Sequence, residues 1–534
     1  MNAHSGDDRF GSARWASHAE IAQAGLFRQT PNSIFCGYYD GKPLWYDGAA
    51  GVTITAGARS GKLAQFSAVN GFYGVLPKAT TIDLDIKGEK AHITRNQTPD
   101  GKHCHYWCPA GSGDFPQSRI NPVGHLTIDN SNLVADVMTF AANICPRTES
   151  QNSGYFEGRA QQFITGISLA LVKKYDVLTL PDLYDAINLI PGGGAAWIDF
   201  AYEMHSSGLD LAYSCEEEIA ASRDDSSGGF KGIVGEMLKS VGALADPQLR
   251  ASLSPPYDFE LKDLCRSDQS TRLFLIPPPQ SLQLWSPILK TFFVGAMNEK
   301  ARRPDAPRQY WTIDEAGQLG AFPLLIELYT LAAGLGITLI SIFQASKQMD
   351  ALGKDGRSIL TSSAGLQISF SARDIDEATR TSKMLGVQTL SYDNTLHQGE
   401  AKARRRDLVA GLMNGGDPFE LNARLSHLGH ARIHQSKERR PLRTPDEVLN
   451  APDGDAFLFV DGLRYPAIIE RRNYWQQRRW AGRYHPNPYH PPVDRVQIQT
   501  LFGKRWRRVV RARVPKKFAH LPQYRDGFWS YIKR

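Results

Sequence analysis

Residues 56–63 read Ala56-Gly57-Ala58-Arg59-Ser60-Gly61-Lys62-Leu63, and they leave few folds open to this chain. Gly51-Val52-Thr53-Ile54-Thr55 runs into the stretch with the β-branched density of a buried strand. Leu63, Phe66, Val69 and Phe72 follow it at a spacing that predicts a helix with one apolar face. Strand, glycine turn and helix form the setting of a phosphate-binding loop. There, small residues let backbone N–H groups wrap phosphate oxygens, a Lys reaches the outer phosphates and a Ser or Thr hydroxyl meets Mg²⁺. Gly57, Gly61 and Lys62 satisfy that chemistry, whereas Ala56 stands in place of the leading Gly and Leu63 in place of the hydroxyl. A glycine turn that binds nothing would read the same way over this segment alone.

A second pattern lies far downstream. Trp311-Thr312-Ile313 reads as the end of a buried strand, and Asp314-Glu315 follow at its carboxyl end. Ligands of open α/β sheets bind at that end. Asp314 is placed to hold Mg²⁺ and Glu315 to orient and deprotonate an attacking water. Residues 337–343 form another continuous apolar run, ending on Gln344, which is positioned to sense a γ-phosphate. The plainer alternatives are a solvated acidic pair and a glutamine that caps a neighbouring helix.

Asp314-Glu315 with Gln344, and Asp85-Ile86-Lys87-Gly88-Glu89, resemble the motifs of type IV coupling proteins, the TraG/TraD family of conjugative ATPases. Residues 11–25 are similar to that family's segment ahead of the loop, and Asn121-Pro122 to its Asn-Pro. Gly365 and Asp374 lie in a stretch like its region after the sensor strand, and 441–448 is close to its late motif. The resemblance runs from about residue 11 to about residue 470. It implies an α/β fold, a RecA-like P-loop nucleotide-binding domain with an inserted all-α domain. It implies ATP and Mg²⁺ as cofactors, with nucleotide held by Gly57, Ala58, Arg59, Ser60, Gly61, Lys62, Leu63, Asp85 and Lys87. Asp314, Glu315 and Gln344 would be catalytic, with Asp314 at the metal. It further implies a homo-hexamer acting on DNA, single-stranded and relaxase-bound, together with relaxosome and secretion-channel proteins. Such sites need an arginine for transition-state charge, and Arg373, Arg380 and the cluster Arg404, Arg405, Arg406 are the candidates, with Arg59 inside the loop itself.

Two departures bear on function. Membrane-anchored coupling proteins carry transmembrane helices ahead of the nucleotide domain, but residues 1–50 hold no apolar run near the roughly 20 residues a span needs. The most apolar window, 324–343, is interrupted by Glu327, Gly334 and Gly336 and reads as core. A cytoplasmic protein is expected, peripheral to the inner membrane if a basic segment or a separate anchor subunit meets it. The second departure, Leu63, leaves open slow hydrolysis or binding without hydrolysis.

The charge is uneven. The chain carries +7 overall, yet residues 495–534 hold twelve Lys or Arg against Asp526 alone, which leaves the body at −4. Lys504, Arg505, Arg507, Arg508, Arg511 and Arg513 are interleaved with Trp506, and Phe518 and Trp529 follow. DNA phosphates with base stacking, anionic lipid and an acidic neighbour all fit that composition. The six cysteines are scattered, and His103-Cys104-His105 with Cys108 lacks a second ligand pair at zinc spacing, so reduced thiols are expected.

The chain divides by pattern into a lead-in (1–50), a first part of the nucleotide domain (51–154), an all-α insert (155–265), a second part (266–470) and a proline-containing linker with a basic tail (471–534). Helical periodicity covers Phe156–Lys174, Asp182–Leu189, Ala195–His205, Leu209–Ala221 and Phe230–Val241. Three functions remain. The first is a coupling ATPase of a type IV secretion or conjugation system. The second is a degenerate pseudo-ATPase docking module on the same fold. The third is a soluble DNA pump of the FtsK/HerA type.

Overall fold

The computed structural model describes residues 11–532 except 73, 96–102, 112–114, 148–150, 224–227, 371, 394–399, 401, 408, 411–434, 481–482, 486, 490–494 and 521–526. The chain forms two compact units. The larger comprises residues 18–370, 454–462 and 468–534, and the smaller residues 1–17, 371–453 and 463–467.

The strands, in chain order, are β1 Ile34–Tyr39, β2 Lys42–Tyr46, β3 Gly51–Thr55, β4 Thr80–Leu84, β5 His103–Trp107, β6 Thr271–Leu275, β7 Gln309–Ile313, β8 Ile337–Phe343 and β9 Ala364–Phe370. They continue with β10 Val387–Asp393, β11 Gln435–Pro441, β12 Asp455–Val460 and β13 Ala467–Glu470. In the larger unit an eleven-stranded sheet runs in the order β2-β1-β13-β12-β9-β3-β8-β7-β4-β6-β5. From β9 to β5 the neighbouring pairs are parallel, while β12 joins β9 antiparallel. β3, β4, β6, β7 and β8 are buried at every residue. A parallel sheet covered on both faces has no polar side to alternate with, so these strands are mostly apolar or β-branched, with Asp83, Arg272 and Gln309 as buried polar exceptions.

An α/β sheet needs helices on its faces. The larger unit supplies α1 His18–Gln23, α2 Glu89–Ile93, α3 Leu133–Ile144, α4 Gln151–Tyr175, α5 Leu180–Gly192, α6 Ala195–Ser206, α7 Asp210–Ser222, α8 Gly229–Val241, α9 Pro247–Ser252, α10 Leu282–Ala301, α11 Pro323–Leu331 and α12 Gly356–Ser363. Helices α4 to α8 fall where the apolar periodicity places them; α4, α5, α6 and α8 extend beyond the expected spans and α7 is shifted by one residue. The hydroxyl of Thr179 accepts from Asp182 N to cap α5, and Asp246 caps α9 through Gln248 N and Leu249 N. One core cluster runs from sheet residues such as Leu84 and Trp311 through α3 and α10 into α4–α8, so the helical region shares its core with the sheet. Asn121 fixes the entry to this region: its Oδ1 accepts from Val123 N and its Nδ2 donates to Leu178 O. Among the described residues no helix is long and apolar enough to cross a membrane. Window 324–343 is most of α11, which buries Leu324, Leu325, Leu328 and Tyr329, followed by β8, which is buried throughout.

The smaller unit holds β10 and β11, an antiparallel pair from Val387↔Pro441 to Asp393↔Gln435, with α13 Ile375–Leu385 and α14 Pro445–Leu449. Asp374 caps α13 through Glu377 N, and Thr444 with Glu447 forms a capping box on α14. The early segment joins this unit by a Ser12↔Gln388 bridge and by Ala13 N donating to Val387 O. The segment 387–440, read from sequence as a long surface stretch, has strands at both ends; most of what lies between is outside the described residues.

Candidate nucleotide site

Four adjacent strands, β3, β8, β7 and β4, end at the same edge of the sheet. Thr55 is in register with Phe343, Ile313 with Ser341, and Leu84 with Ile313. The residues that follow those ends are Ala56, Gln344, Asp314 and Asp85. Sheet order therefore brings together Ala56 and Gln344, 288 positions apart in sequence.

The loop after β3 is a turn rather than an extended connection. Ala56 N donates to Phe343 O at 2.8 Å, Ser60 N to Gly57 O, and Gln65 N to Gly61 O. Gly61 lies at φ +88° and Arg59 at φ +60°. The left-handed region is open to Gly but strained for Arg, and such strain collects where a loop is held for function. Ala58 and Arg59 are exposed, while Gly57, Ser60, Gly61, Lys62 and Leu63 are half-buried. Ser60 Oγ is buried without a hydrogen-bond partner. The regular helix expected after Lys62 is instead a π-helical turn, Leu63–Ser67, followed by a 3₁₀ turn, Val69–Gly71. Its cause is Asn70, whose amide donates to Phe35 O and Phe66 O and accepts from Phe35 N. The side chain thus serves β1 as well as its own helix and pulls the turn off the α-helical ladder. Phe66, Val69 and Phe72 still face inward, as their spacing required.

Lys62 is the hub. Its ammonium is 2.9 Å from Asp314 Oδ1 and also donates to Glu315 Oε1. Burial pulls the ammonium down, but the two carboxylates outweigh it and hold the lysine above its ordinary value. Glu315 Oε2 accepts from Gln344 Nε2 at 2.8 Å, and Gln344 N donates in turn to Gln348 Oε1. Glu315 itself sits at φ +55°, a second strained non-glycine residue at this edge. Asp85 is buried; loss of water raises its carboxyl to about 7, against the opposing hydrogen bond from Ala91 N, and the charge of Asp314 adds to the rise.

Of the residues expected here, Lys62, Asp314, Glu315 and Gln344 form one hydrogen-bonded cluster, and Asp85 lies close enough to feel Asp314. Lys87 does not join it. Its side chain is 62% exposed, with Glu89 3.9 Å away. The arginine candidates Arg373, Arg380 and Arg404–Arg406 are in the smaller unit, where Arg380 is 3.6 Å from Glu377 and the others are exposed. The His103–Cys108 segment is β5 and its exit; His105 stacks on Phe259 at 4.2 Å whereas Cys104 packs with the Tyr106 and Phe274 cluster. All six cysteines are free.

Sequence reading missed two supports. Asp83 and Lys90 form a buried ion pair, with Thr81 Oγ1 donating to Asp83 Oδ2 and Lys90 Nζ to Thr312 Oγ1. Their spacing of seven gives no warning, because the pair spans the turn out of β4. Arg471 braces the loop from behind. It donates to Ser60 O and Gln65 Oε1, each at 2.8 Å, and to Asp455 O, and lies 4.1 Å over the Phe370 ring. Gln65 also donates to Asn473 Oδ1. The only signal was a cation just after a strand, which is common.

The basic tail contains β14 Arg495–Thr500, β15 Gly503–Arg513 and β16 Phe528–Ile532, a three-stranded antiparallel sheet. Arg505, Arg508 and Arg513 are exposed and Arg507 half-buried, and the side chains of Lys504 and Arg511 lie outside what is described.

The donor set suits a nucleoside triphosphate with a divalent cation: one lysine, a strained loop with a partnerless hydroxyl at Ser60, and carboxylates at the end of β7, two strands away. Comparison with known proteins agrees with that fold. Residues 4–408 match the family model for type IV secretory system conjugative DNA transfer. The bacterial conjugative coupling protein TrwBdeltaN70, in its unbound monoclinic form, is similar at TM-score 0.62 and 14% identity, over 88% of this chain and 95% of that one. The plasmid coupling protein TrwB in complex with ADP and Mg²⁺ gives TM-score 0.59 at 14% identity, over 88% and 96%. TrwB with the ATP analogue ADPNP gives 0.59 at 15%, with the same coverage. A search of curated protein sequences finds no match. With a RecA-like core carrying a helical insertion, and most of its length matched, this chain belongs to the type IV secretory system conjugative DNA transfer family.

Proposed function

We propose that this chain is the coupling ATPase of a type IV secretion or conjugation system, recruiting DNA–protein or protein substrate and driving it toward the membrane channel. The observation that carries the reading is the single cluster of Lys62, Asp314, Glu315 and Gln344 at the ends of three adjacent strands. ATP with Mg²⁺ would supply the transferable phosphoryl group and the counter-charge. Lys62, the loop N–H groups and Ser60 Oγ would hold the phosphates, and Asp314 the metal. While Lys62 lies between Asp314 and Glu315, the base is neutralised. With ATP bound, Lys62 would turn from the carboxylates and leave Glu315 able to take a proton from water, with Gln344 holding its other oxygen. Binding and release of the base are thus one event.

The partners this reading carries are DNA, single-stranded and relaxase-bound, the relaxosome and the channel proteins. A homo-hexamer would bring an arginine from a neighbouring subunit, and Arg373, Arg380 and Arg404–Arg406 are the residues to test. The family match and the TrwB complexes with ADP and Mg²⁺ support nucleotide use. A second reading, a docking module that binds nucleotide without turnover, rests on half-buried Leu63 opening a π-helical turn where a hydroxyl is usual. The experiment is ATP turnover of the full chain, alone and with single- and double-stranded DNA, beside Lys62→Ala and Glu315→Gln. DNA-stimulated turnover lost in both variants supports the motor. No turnover in the unmodified chain under any condition leaves the docking reading.

A further inference from the structure

The C-terminal sheet lies beyond residue 408, where the family match ends, so membership does not account for it. Its β14–β15 hairpin turns through Leu501 and Phe502, which are 100% and 84% exposed. The turn does not need them. Thr500 Oγ1 accepts from Phe502 N and donates to Gly503 O, and Gly503 supplies the positive φ of +93°. Turn positions ordinarily carry Asn, Asp, Ser, Pro or Gly. Two large apolar side chains there cost hydration and contribute nothing to the fold, and such breaches of local preference gather at functional positions.

The residues behind the tip are ordered along the hairpin. Next come cations: Arg505, whose guanidinium is 5.8 Å from the Phe502 ring, then Arg507 and Arg508. Trp506 stands among them, 57% exposed. Between 495 and 520 there are nine Lys or Arg and no Asp or Glu. Strand alternation sends Arg505 and Arg507 to one face and Trp506 and Arg508 to the other. A platform for a nucleic-acid strand would gather its cations and rings on one face. Cations on both faces behind an apolar point suit a flat anionic surface approached end-on, with the tip below the headgroups, guanidiniums at the phosphates and Trp at the interface.

We infer that the Leu501–Phe502 hairpin tip is a membrane-contact element that inserts shallowly into an anionic lipid surface, with Arg505, Arg507 and Arg508 at the lipid phosphates. Because it is separate from the Lys62 site, it stands or falls independently of nucleotide turnover.

The test is flotation of the full chain with vesicles of phosphatidylglycerol and phosphatidylcholine, and with pure phosphatidylcholine, beside a single-stranded oligonucleotide. Binding to the anionic vesicles should exceed binding to neutral ones by about tenfold or more and weaken with salt. The double substitution Leu501→Ser/Phe502→Ser should lower it by about tenfold, while Phe502→Trp retains it. Nucleotide binding, unchanged in all of these, shows that the chain is folded. Vesicle binding that depends on Arg505 and Arg508 but ignores the tip would overturn insertion. Absence of vesicle binding, with oligonucleotide binding lost in Arg505→Glu/Arg508→Glu, would assign the sheet to nucleic acid instead.

Discussion

Lys62 and Asp314 stand 2.9 Å apart at the ends of strands that are not neighbours: β8, with Gln344 at its end, lies between β3 and β7. The lysine reaches across that intervening strand because the loop turns at Gly61 (φ +88°) and directs its side chain along the sheet edge. In the proposed ATPase, Lys62→Ala would remove a phosphate ligand and leave the Asp314 and Glu315 carboxylates without their cation. Nucleotide affinity should fall by tenfold or more, about 1.4 kcal/mol or above. Calorimetric titration with a non-hydrolysable ATP analogue measures it, and affinity within twofold of the unmodified chain would remove Lys62 from the site.

Glu315→Gln separates binding from chemistry. The amide oxygen still accepts from Gln344 Nε2, while the amide nitrogen gives up the contact with Lys62, which keeps Asp314. It no longer takes a proton, and turnover should drop by roughly 10² to 10⁴. Nucleotide affinity should stay equal or tighten. Single-turnover measurement with labelled ATP distinguishes a lost base from slow product release.

Leu63 replaces a hydroxyl that usually meets the metal. In the proposed site Asp314 and the phosphates would be the remaining ligands, so the quantity weakened would be Mg²⁺ affinity. Leu63→Thr should lower the Mg²⁺ concentration for half-maximal turnover several-fold, while the rate at saturating Mg²⁺ changes by less than about threefold. A Mg²⁺ titration of turnover checks this. A gain of a hundredfold at saturation would mean that the natural site is degenerate.

Lys90 is 5% exposed and Asp83 2%, in the wall of the sheet beside the site. Lys90→Met leaves the Asp83 carboxylate buried without its cation, which should cost about 3–5 kcal/mol. Adding Asp83→Asn should restore most of the loss, since two neutral groups need no counter-charge. Urea midpoints of the single and double variants measure the recovery.

What was legible in the sequence follows from burial. β3, β7 and β8 are enclosed on both faces, so they read as mainly apolar and β-branched runs, and β7 and β8 lead directly into Asp314 and Gln344 at the working edge. The helices α4 to α8 show their 3.6-residue stripe because one side meets the shared core. Other features depend on which strands become neighbours. The Asp83–Lys90 pair and Thr312 meet only after β4 is set beside β7, and Arg471 reaches Ser60 only after β13 joins the far side of the sheet. The π-helical turn was hidden because Asn70 reads as an ordinary helical residue until β1 lies beside it. The tail sheet was missed because arginines on both faces erase the alternation that marks a half-buried strand.

Asp85 links the site to pH. Burial raises its carboxyl to about 7, although Ala91 N holds it partly down. In the unfolded chain an Asp releases its proton near 3.9. Between roughly pH 4 and pH 7 the folded form therefore binds a proton that the unfolded form has lost, and this group's contribution to stability declines as pH rises through that window. Above about 7 the loss is complete, because both forms are then ionised and the folded one carries a buried charge near Asp314. Asp85→Asn keeps an acceptor for Ala91 N and removes the charge. Its melting temperature should match that of the unmodified chain near pH 4 and exceed it by a few degrees at pH 8. The difference between the two proteins isolates Asp85, since the other titrating groups are common to both. A difference that is flat with pH, or that grows toward acid, would show that Asp85 is ionised throughout and stabilised by the backbone hydrogen bond.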